Sequence, residues 1–307
     1  MNPFYKDYSQ YMSEKFPGIK VQKISINAGF SCPNRDGTIG RGGCIYCDPT
    51  SFTPGYCFGN DSVRDQLEAG KRFFARKYPE MKYLAYFQSF TNTFTGKVAK
   101  GEGERNLRAL YEEALTTNDV VGLIIGSRPD CFSSATIDLL AELNRRRPVF
   151  VEIGAESSHD GTLRKINRGH TWRQTCETVR RLAGAGLPVG LHLIFGLPGE
   201  EEEMMMETVR RVCALPVESL KFHHLQVISG TRLHSAVIAG KLDIHPFGLE
   251  EYLDLCVKVV ETVPRNIAIE RFLASSPPVR VVAPKWGLKN YEFTNLLLNR
   301  LKNRKRP

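Results

Sequence analysis

Six short apolar runs, at residues 21–27, 82–88, 120–126, 149–155, 189–195 and 219–226, punctuate the chain. Between them, apolar positions recur every three or four residues. The runs have the length of buried strands, and the spacing between them is helical. Within 104–116, Leu107, Leu110, Tyr111, Ala114 and Leu115 fall on one stripe. Segments 62–78, 134–146, 171–185 and 200–214 repeat the helical pattern. Ser62, Ser134 and Thr171 are placed as N-caps, and Gly184 and Gly186 suit a helix C-terminus. This alternation predicts an α/β fold with a parallel sheet and right-handed crossovers. Six β/α units make a partial or full barrel, and a doubly wound open sheet is the alternative. Either architecture puts the functional site at the C-terminal ends of the strands.

After about Gly230 the alternation weakens. A helix is expected over 249–263, a strand over 266–272 and a closing helix over 293–302. The predicted organisation is therefore a barrel at 1–230, with an N-terminal helix, and an α/β extension at 231–307. A length of 307 residues fits one barrel with such an addition.

Charge changes this picture mainly at the end of the chain. The net charge is +9, and +6 of it lies in residues 285–307, where seven basic residues face one acidic residue, Glu292. Leu296, Leu297, Leu298 and Leu301 form an apolar run there, able to dock a helix while cations project outward. No stretch approaches the ~18 apolar residues of a membrane span. The opening MNPFYKDYSQ has no apolar signal segment, so no membrane partner and a cytoplasmic location are expected. Eight cysteines in that compartment are reduced thiols or metal ligands.

Three of them stand out. Cys32, Cys44 and Cys47 have the spacing C-x11-C-x2-C directly after the first strand. Gly37, Gly40, Gly42 and Gly43 allow Cys32 to fold back towards the CxxC pair. A [4Fe–4S] cluster usually takes four thiolates. Three would leave one iron open to a small molecule, as catalytic zinc keeps an open position. The competing reading is a structural zinc held by these three and Cys57. Cys131, Cys176, Cys213 and Cys256 are isolated and read as small buried hydrophobes.

The loop CPNRDGTIGRGGCIYC resembles that of the radical S-adenosylmethionine (SAM) family that includes the bacterial proteins YhcC and YtqA. That family is related to the radical SAM half of the Elongator catalytic subunit. The resemblance extends through YFQSFTNTF (86–94), GSRPDCF (126–132), INRGHTW (166–172), HLIFGLPGE (192–200) and APKWGLKNYEF (283–293). It implies a partial (β/α)6 TIM-like radical SAM barrel, a [4Fe–4S] cluster on Cys32, Cys44 and Cys47, and SAM as the second cofactor. It further implies reductive cleavage of SAM to a 5′-deoxyadenosyl radical that takes a hydrogen atom from substrate. The electron comes from a donor such as flavodoxin or ferredoxin.

The resemblance also suggests roles. Tyr46 packs near the adenine. Gln88, Ser89, Thr91 and Asn92, ending the second strand, bind the ammonium and carboxylate of SAM; turn chemistry favours the same residues. Arg128 forks a carboxylate or makes a surface ion pair. Glu152 meets a ribose hydroxyl or the SAM ammonium. Ile194 and Gly196 belong to the adenine-binding segment. Arg168 and His170 lie near the cofactor mouth or stabilise a loop. Glu156 departs from the glutamine of Elongator-type sequences, so its role stays open. Lys221 with His223, or His224 with Gln226, face the substrate space. Glu200–Glu203 complement a helix N-terminus, and Met204–Met206 are packing. No residue is singled out for the hydrogen transfer itself.

Three functions compete: modification of RNA, foremost the wobble uridine of tRNA; radical chemistry on a protein or metabolite; and non-catalytic, metal-stabilised nucleic-acid binding. Neither a second cysteine cluster nor an acetyltransferase-sized extension is read, so only the radical half of an Elongator-like protein is expected.

Overall fold

A computed structural model of the chain describes residues 2–304 except 52, 60–61, 76–79, 97–101 and 275. Its strands are β1 (Val21–Ile26), β2 (Lys82–Phe87), β3 (Val120–Ser127), β4 (Val149–Glu156), β5 (Val189–Phe195), β6 (Ser219–His224), β7 (Val227–Ile228), β8 (Ala268–Ile269) and β9 (Val281–Ala283). Its helices are α1 (Tyr8–Lys15), α2 (Val63–Ala75), α3 (Glu102–Leu115), α4 (Ser134–Asn144), α5 (Asp160–Lys165), α6 (Trp172–Gly184), α7 (Glu202–Cys213), α8 (Arg232–Ile238), α9 (Leu249–Thr262) and α10 (Asn290–Arg304).

β1 to β6 pair in sequence order, all parallel, and β8 adds a seventh strand beside β6. A doubly wound sheet reverses its strand order at a switch point. This one never reverses, so it curls as a partial TIM-like barrel. The curl is visible in side chains: Lys23 on β1 reaches Glu152 on β4 at 2.7 Å and Glu270 beyond β8 at 2.6 Å.

The helices form for local reasons. α6 opens on a capping box: Thr171 Oγ1 accepts from Gln174 N, and Gln174 Oε1 accepts from Thr171 N at 2.8 Å. It then buries Thr175, Thr178, Val179 and Leu182 on one stripe. Ser62 Oγ accepts from Asp65 N at the start of α2. The cap of α4 is Ser133 rather than Ser134, because Ser133 Oγ accepts from Thr136 N at 3.0 Å. Met205 and Met206 pack into the core, whereas Cys256 alone of the four isolated cysteines is fully buried.

The C-terminal part differs most from expectation. The strand expected over 266–272 shrinks to Ala268–Ile269, yet it joins the main sheet. Stacked rings fix it there: Phe195 on Phe222 at 5.2 Å and Phe222 on Phe272 at 5.7 Å. α10 docks through Phe293, Leu297 and Leu301, while Leu296 is exposed. Its cations do not all project outward. Arg300 forks Asp254 at 2.8 and 2.7 Å and pairs with Glu250, and Arg304 pairs with Glu261 at 3.3 Å. Lys305 and Arg306 lie outside the described residues. No described helix is long and apolar enough to cross a membrane.

Candidate active site

Alternate residues of each strand point into the curl, and at their C-terminal ends they line a cavity of about 780 Å³. Ser25, Tyr86, Gln88, Gly126, Arg128, Glu152, Gly154, His192, Ile194, Lys221 and His223 come from β1 to β6 or the residues just beyond them. Cys32, Cys44 and Cys47 come from the loop after β1 and border the same space.

The loop is held by its own backbone and by the turn after α5. Arg35 N and Asp36 N donate to Cys32 O, and Cys47 N to Cys44 O. Gly43 N donates to Asn34 O at 2.8 Å with φ at +72°, where a Cβ would sit 2.8 Å from Arg35 Nε. A side chain at Gly43 would therefore meet both backbone strain and a clash. Asn167 Nδ2 donates to Gly43 O at 2.7 Å, Asn34 Nδ2 to Asn167 O at 2.6 Å, and Ile45 N to Ile166 O at 3.0 Å. The INRGH segment thus braces the cysteine loop.

Arg168 does more than brace. It donates to Gly154 O at 2.7 Å, lies 3.6 Å from Cys44 Sγ, and pairs with Glu156 at 3.2 Å. Glu156 has φ at +64°, and the β4–β5 register shifts beside it. The irregularity brings its carboxylate to Arg168, a use of strain often found at functional sites. Arg128 is buried and forks Asp130 at 2.9 and 2.8 Å, so its partner is internal and its ion pair is not on the surface. His170 is held neutral, pushed down to about 2 by burial and then by Arg168 and Arg128.

Among the described residues, several buried atoms here have no partner: Arg168 Nε, Arg128 Nη1 and Thr91 Oγ1. Buried donors are normally satisfied. A group that brings acceptors, such as cluster sulfides or a carboxylate, fits this set. Among the described residues, no three histidine, cysteine or carboxylate side chains gather tightly enough for one metal ion. The Cys57 thiol donates to Ser25 O at 3.5 Å and is not among the cavity-lining residues. Cys57 thus stands apart from the three thiols that border the cavity.

The other expected contacts divide. Tyr46, Gln88, Thr91 and Ile194 line the cavity. Ser89, Asn92 and Gly196 are not among its lining residues. Asn92 is fully buried, and its Nδ2 ties Phe87 O to Gly126 O, locking the ends of β2 and β3 together. Ser89 hydrogen-bonds Thr53 at 3.1 Å. Gly196 adopts φ +81°, and a Cβ there would meet the ring of Phe247 at 2.9 Å. Its need for glycine therefore comes from the turn and Phe247.

Glu152 is already occupied. Tyr86 OH and His192 Nε2 lie 2.7 Å from its Oε2, Lys23 Nζ 2.7 Å from Oε1 and Lys221 Nζ 3.4 Å from Oε2. Burial alone would raise its carboxyl, but Lys221 and Lys23 outweigh it and hold it well below the usual carboxylate range. Glu270 closes the network on Lys23 and Lys221. The sequence reading missed Lys23, His192 and Glu270. The two-residue period was a usable signal for the first two, since Lys23 shares a face with Ser25, and His192 with Ile194. Glu270 follows a strand too short to show a period. His223 reaches the cavity with Lys221; His224 and Gln226 also reach it, from the strand end.

The radical SAM superfamily model matches residues 32–212, and the Radical_SAM C-terminal domain model matches 217–303. YtqA of Bacillus subtilis is 35% identical over 302 residues, covering 98% of this chain and 90% of that protein. YhcC of Escherichia coli is 37% identical over 270 residues, covering 88% and 83%. More distantly, the tRNA uridine(34) acetyltransferase of Methanocaldococcus infernus is 26% identical, over 63% of this chain and 36% of its own length. The fold is similar to that of the archaeal Methanocaldococcus infernus Elp3 lacking its N-terminus, with a TM-score of 0.65, 19% identity and coverage of 93% of this chain and 64% of that one. With cysteine loop, strand-end cavity and family models covering the same residues, the chain belongs to the radical SAM superfamily, whose members use a [4Fe–4S] cluster and SAM.

Proposed function

We propose that this radical SAM enzyme modifies RNA, with the wobble uridine of tRNA as its target. In this reading Cys32, Cys44 and Cys47 hold the cluster, and SAM lies among Tyr46, Gln88, Thr91, Arg128, Arg168 and Ile194. When bound, the reduced cluster and SAM supply a 5′-deoxyadenosyl radical for hydrogen abstraction. The chain's own residues do the rest. Arg168 and Arg128 offer buried donors beside the cysteines, the neutral His170 adds no charge there, and the Glu152 network fixes the strand ends that shape the cavity.

The observation that carries the enzymatic reading is the convergence of three thiols and unpartnered buried guanidinium atoms on one cavity. The RNA substrate is supported by the distant relative named a tRNA uridine(34) acetyltransferase and by the basic end of the chain. Pairing of Arg300 and Arg304 with α9 weakens the second support. Glu152 serves in this reading as the hub of the charged network, Ser89 and Asn92 tie the strand ends behind the cavity wall, and Gly196 forms the turn beside Phe247. The test is mass spectrometry of tRNA nucleosides from cells with and without the gene. Loss of a modified wobble uridine on deletion, restored by the wild-type gene but not by Cys44→Ala, is the expected result. Unchanged nucleosides in a strain with no second pathway would contradict it.

A further inference from the structure

Among the described residues, two arginines line the cavity without a carboxylate partner, Arg35 and Arg271. Deep in the curl, Lys23 and Lys221 are matched by Glu152 and Glu270, at 2.6 to 3.4 Å. Nearer the cysteines, Arg168 is matched by Glu156, Arg128 by Asp130, and Arg280 by Asp48. Arg35 donates to Cys47 O at 2.8 Å and lies in the field of the three thiols.

Arg271 has no such partner. It follows β8 and lines the cavity beside β6, where its carbonyl accepts from Phe222 N at 2.9 Å. Its Nε is buried without a hydrogen bond, and among the described residues no carboxylate pairs with it. Glu270, its neighbour in the chain, is committed to the two lysines. The residue as a whole is half-buried, with its Nε fully enclosed, and Glu270 lies within its field without pairing with it. A guanidinium in that position is suited to fork an oxyanion.

Its surroundings agree. The ring of His223 lines the same wall and makes no hydrogen bond to a described residue. Burial first, and then Arg271, push its pKa well below the ordinary histidine value, so it offers an N–H without a second positive charge. Gln226 lines the same wall, and of its amide only Nε2 can donate to an anion.

We propose that Arg271, flanked by His223 and Gln226, binds a single oxyanionic group of the substrate, a phosphate or a carboxylate. The inference rests on the charge balance of the cavity and not on the RNA reading, because metabolites and peptides carry such groups too.

The test is thermal unfolding of the cluster-loaded protein in a chloride buffer, alone, with inorganic phosphate, and with acetate. At saturation one anion should raise the wild-type Tm by about 2–4 °C. The anion with the larger effect identifies the group. Arg271→Gln should abolish the shift, and without anions it should melt close to the wild-type temperature, because it breaks no ion pair with a described residue. Arg271→Lys should keep part of the shift. Three results would overturn the proposal: no wild-type shift with either anion, an equal shift in Arg271→Gln, or a variant that melts several degrees lower or fails to fold. The last would mean that the guanidinium has a structural partner within the chain.

Discussion

Glu152, expected to meet a ribose hydroxyl or the SAM ammonium, lines the cavity and is also held by a network of charged partners. A carboxylate in the middle of Val-Phe-Val-Glu-Ile needs a partner, and that much was readable. Which partner it has depends on the curl that brings β1, β4 and residue 270 together, and no local pattern encodes it. Glu152→Gln should destabilise the protein by about 3–5 kcal/mol, because it leaves Lys23 and Lys221 short of a counterion in the interior. Denaturant unfolding of the protein without SAM measures this; a carboxylate serving only as a SAM contact would leave that stability unchanged. His224 gives a second residue-scale prediction. It packs against Trp286 with ring centres 4.4 Å apart, and burial, followed by the nearby Arg271, pushes its pKa down to about 3. The unfolded chain thus takes up a proton near pH 6.5 that the folded chain resists until about pH 3. The stability this residue contributes is complete above pH 6.5 and is lost as pH falls towards 3. His224→Phe, which keeps an aromatic ring against Trp286, should lose less stability between pH 6.5 and 4 than the wild type.

At the level of elements, position was legible wherever periodicity ran for several turns or residues. The β5 boundaries agree with the sequence pattern, and α6 begins at the cap that its capping box announces. Thr171→Ala should cost about 1 kcal/mol in unfolding free energy by freeing Gln174 N. The cluster content of the protein should not change, because the cysteine loop is braced by α5 and its following turn. The two-residue extent of β8, inside the strand expected over 266–272, was not visible in the sequence because two residues show no alternation, and its place is set by aromatic stacking from β5 and β6. The positive φ of Glu156 was equally invisible, since only the shifted β4–β5 register produces it. The cysteine loop was the opposite case. Its spacing and its glycines were on the surface of the sequence, and the structure brings the three thiols to one cavity.

For the whole molecule, the sequential strand order decides between the two architectures that the alternation allowed. It also explains why the chemistry collects in one place: successive strands send alternate side chains into a common interior, and the loop after β1 folds over its open end. What the sequence could not supply was the charge balance inside that space, which depends on pairs up to 247 residues apart. That this space holds a cluster on three thiols and cleaves SAM is tested by 5′-deoxyadenosine formation in the anaerobically reconstituted, chemically reduced protein supplied with SAM. The wild type and Cys57→Ala are expected to carry about four irons and to release 5′-deoxyadenosine, while Cys32→Ala, Cys44→Ala and Cys47→Ala lose both. A protein that carries its full cluster yet binds no SAM and releases no 5′-deoxyadenosine would contradict the account.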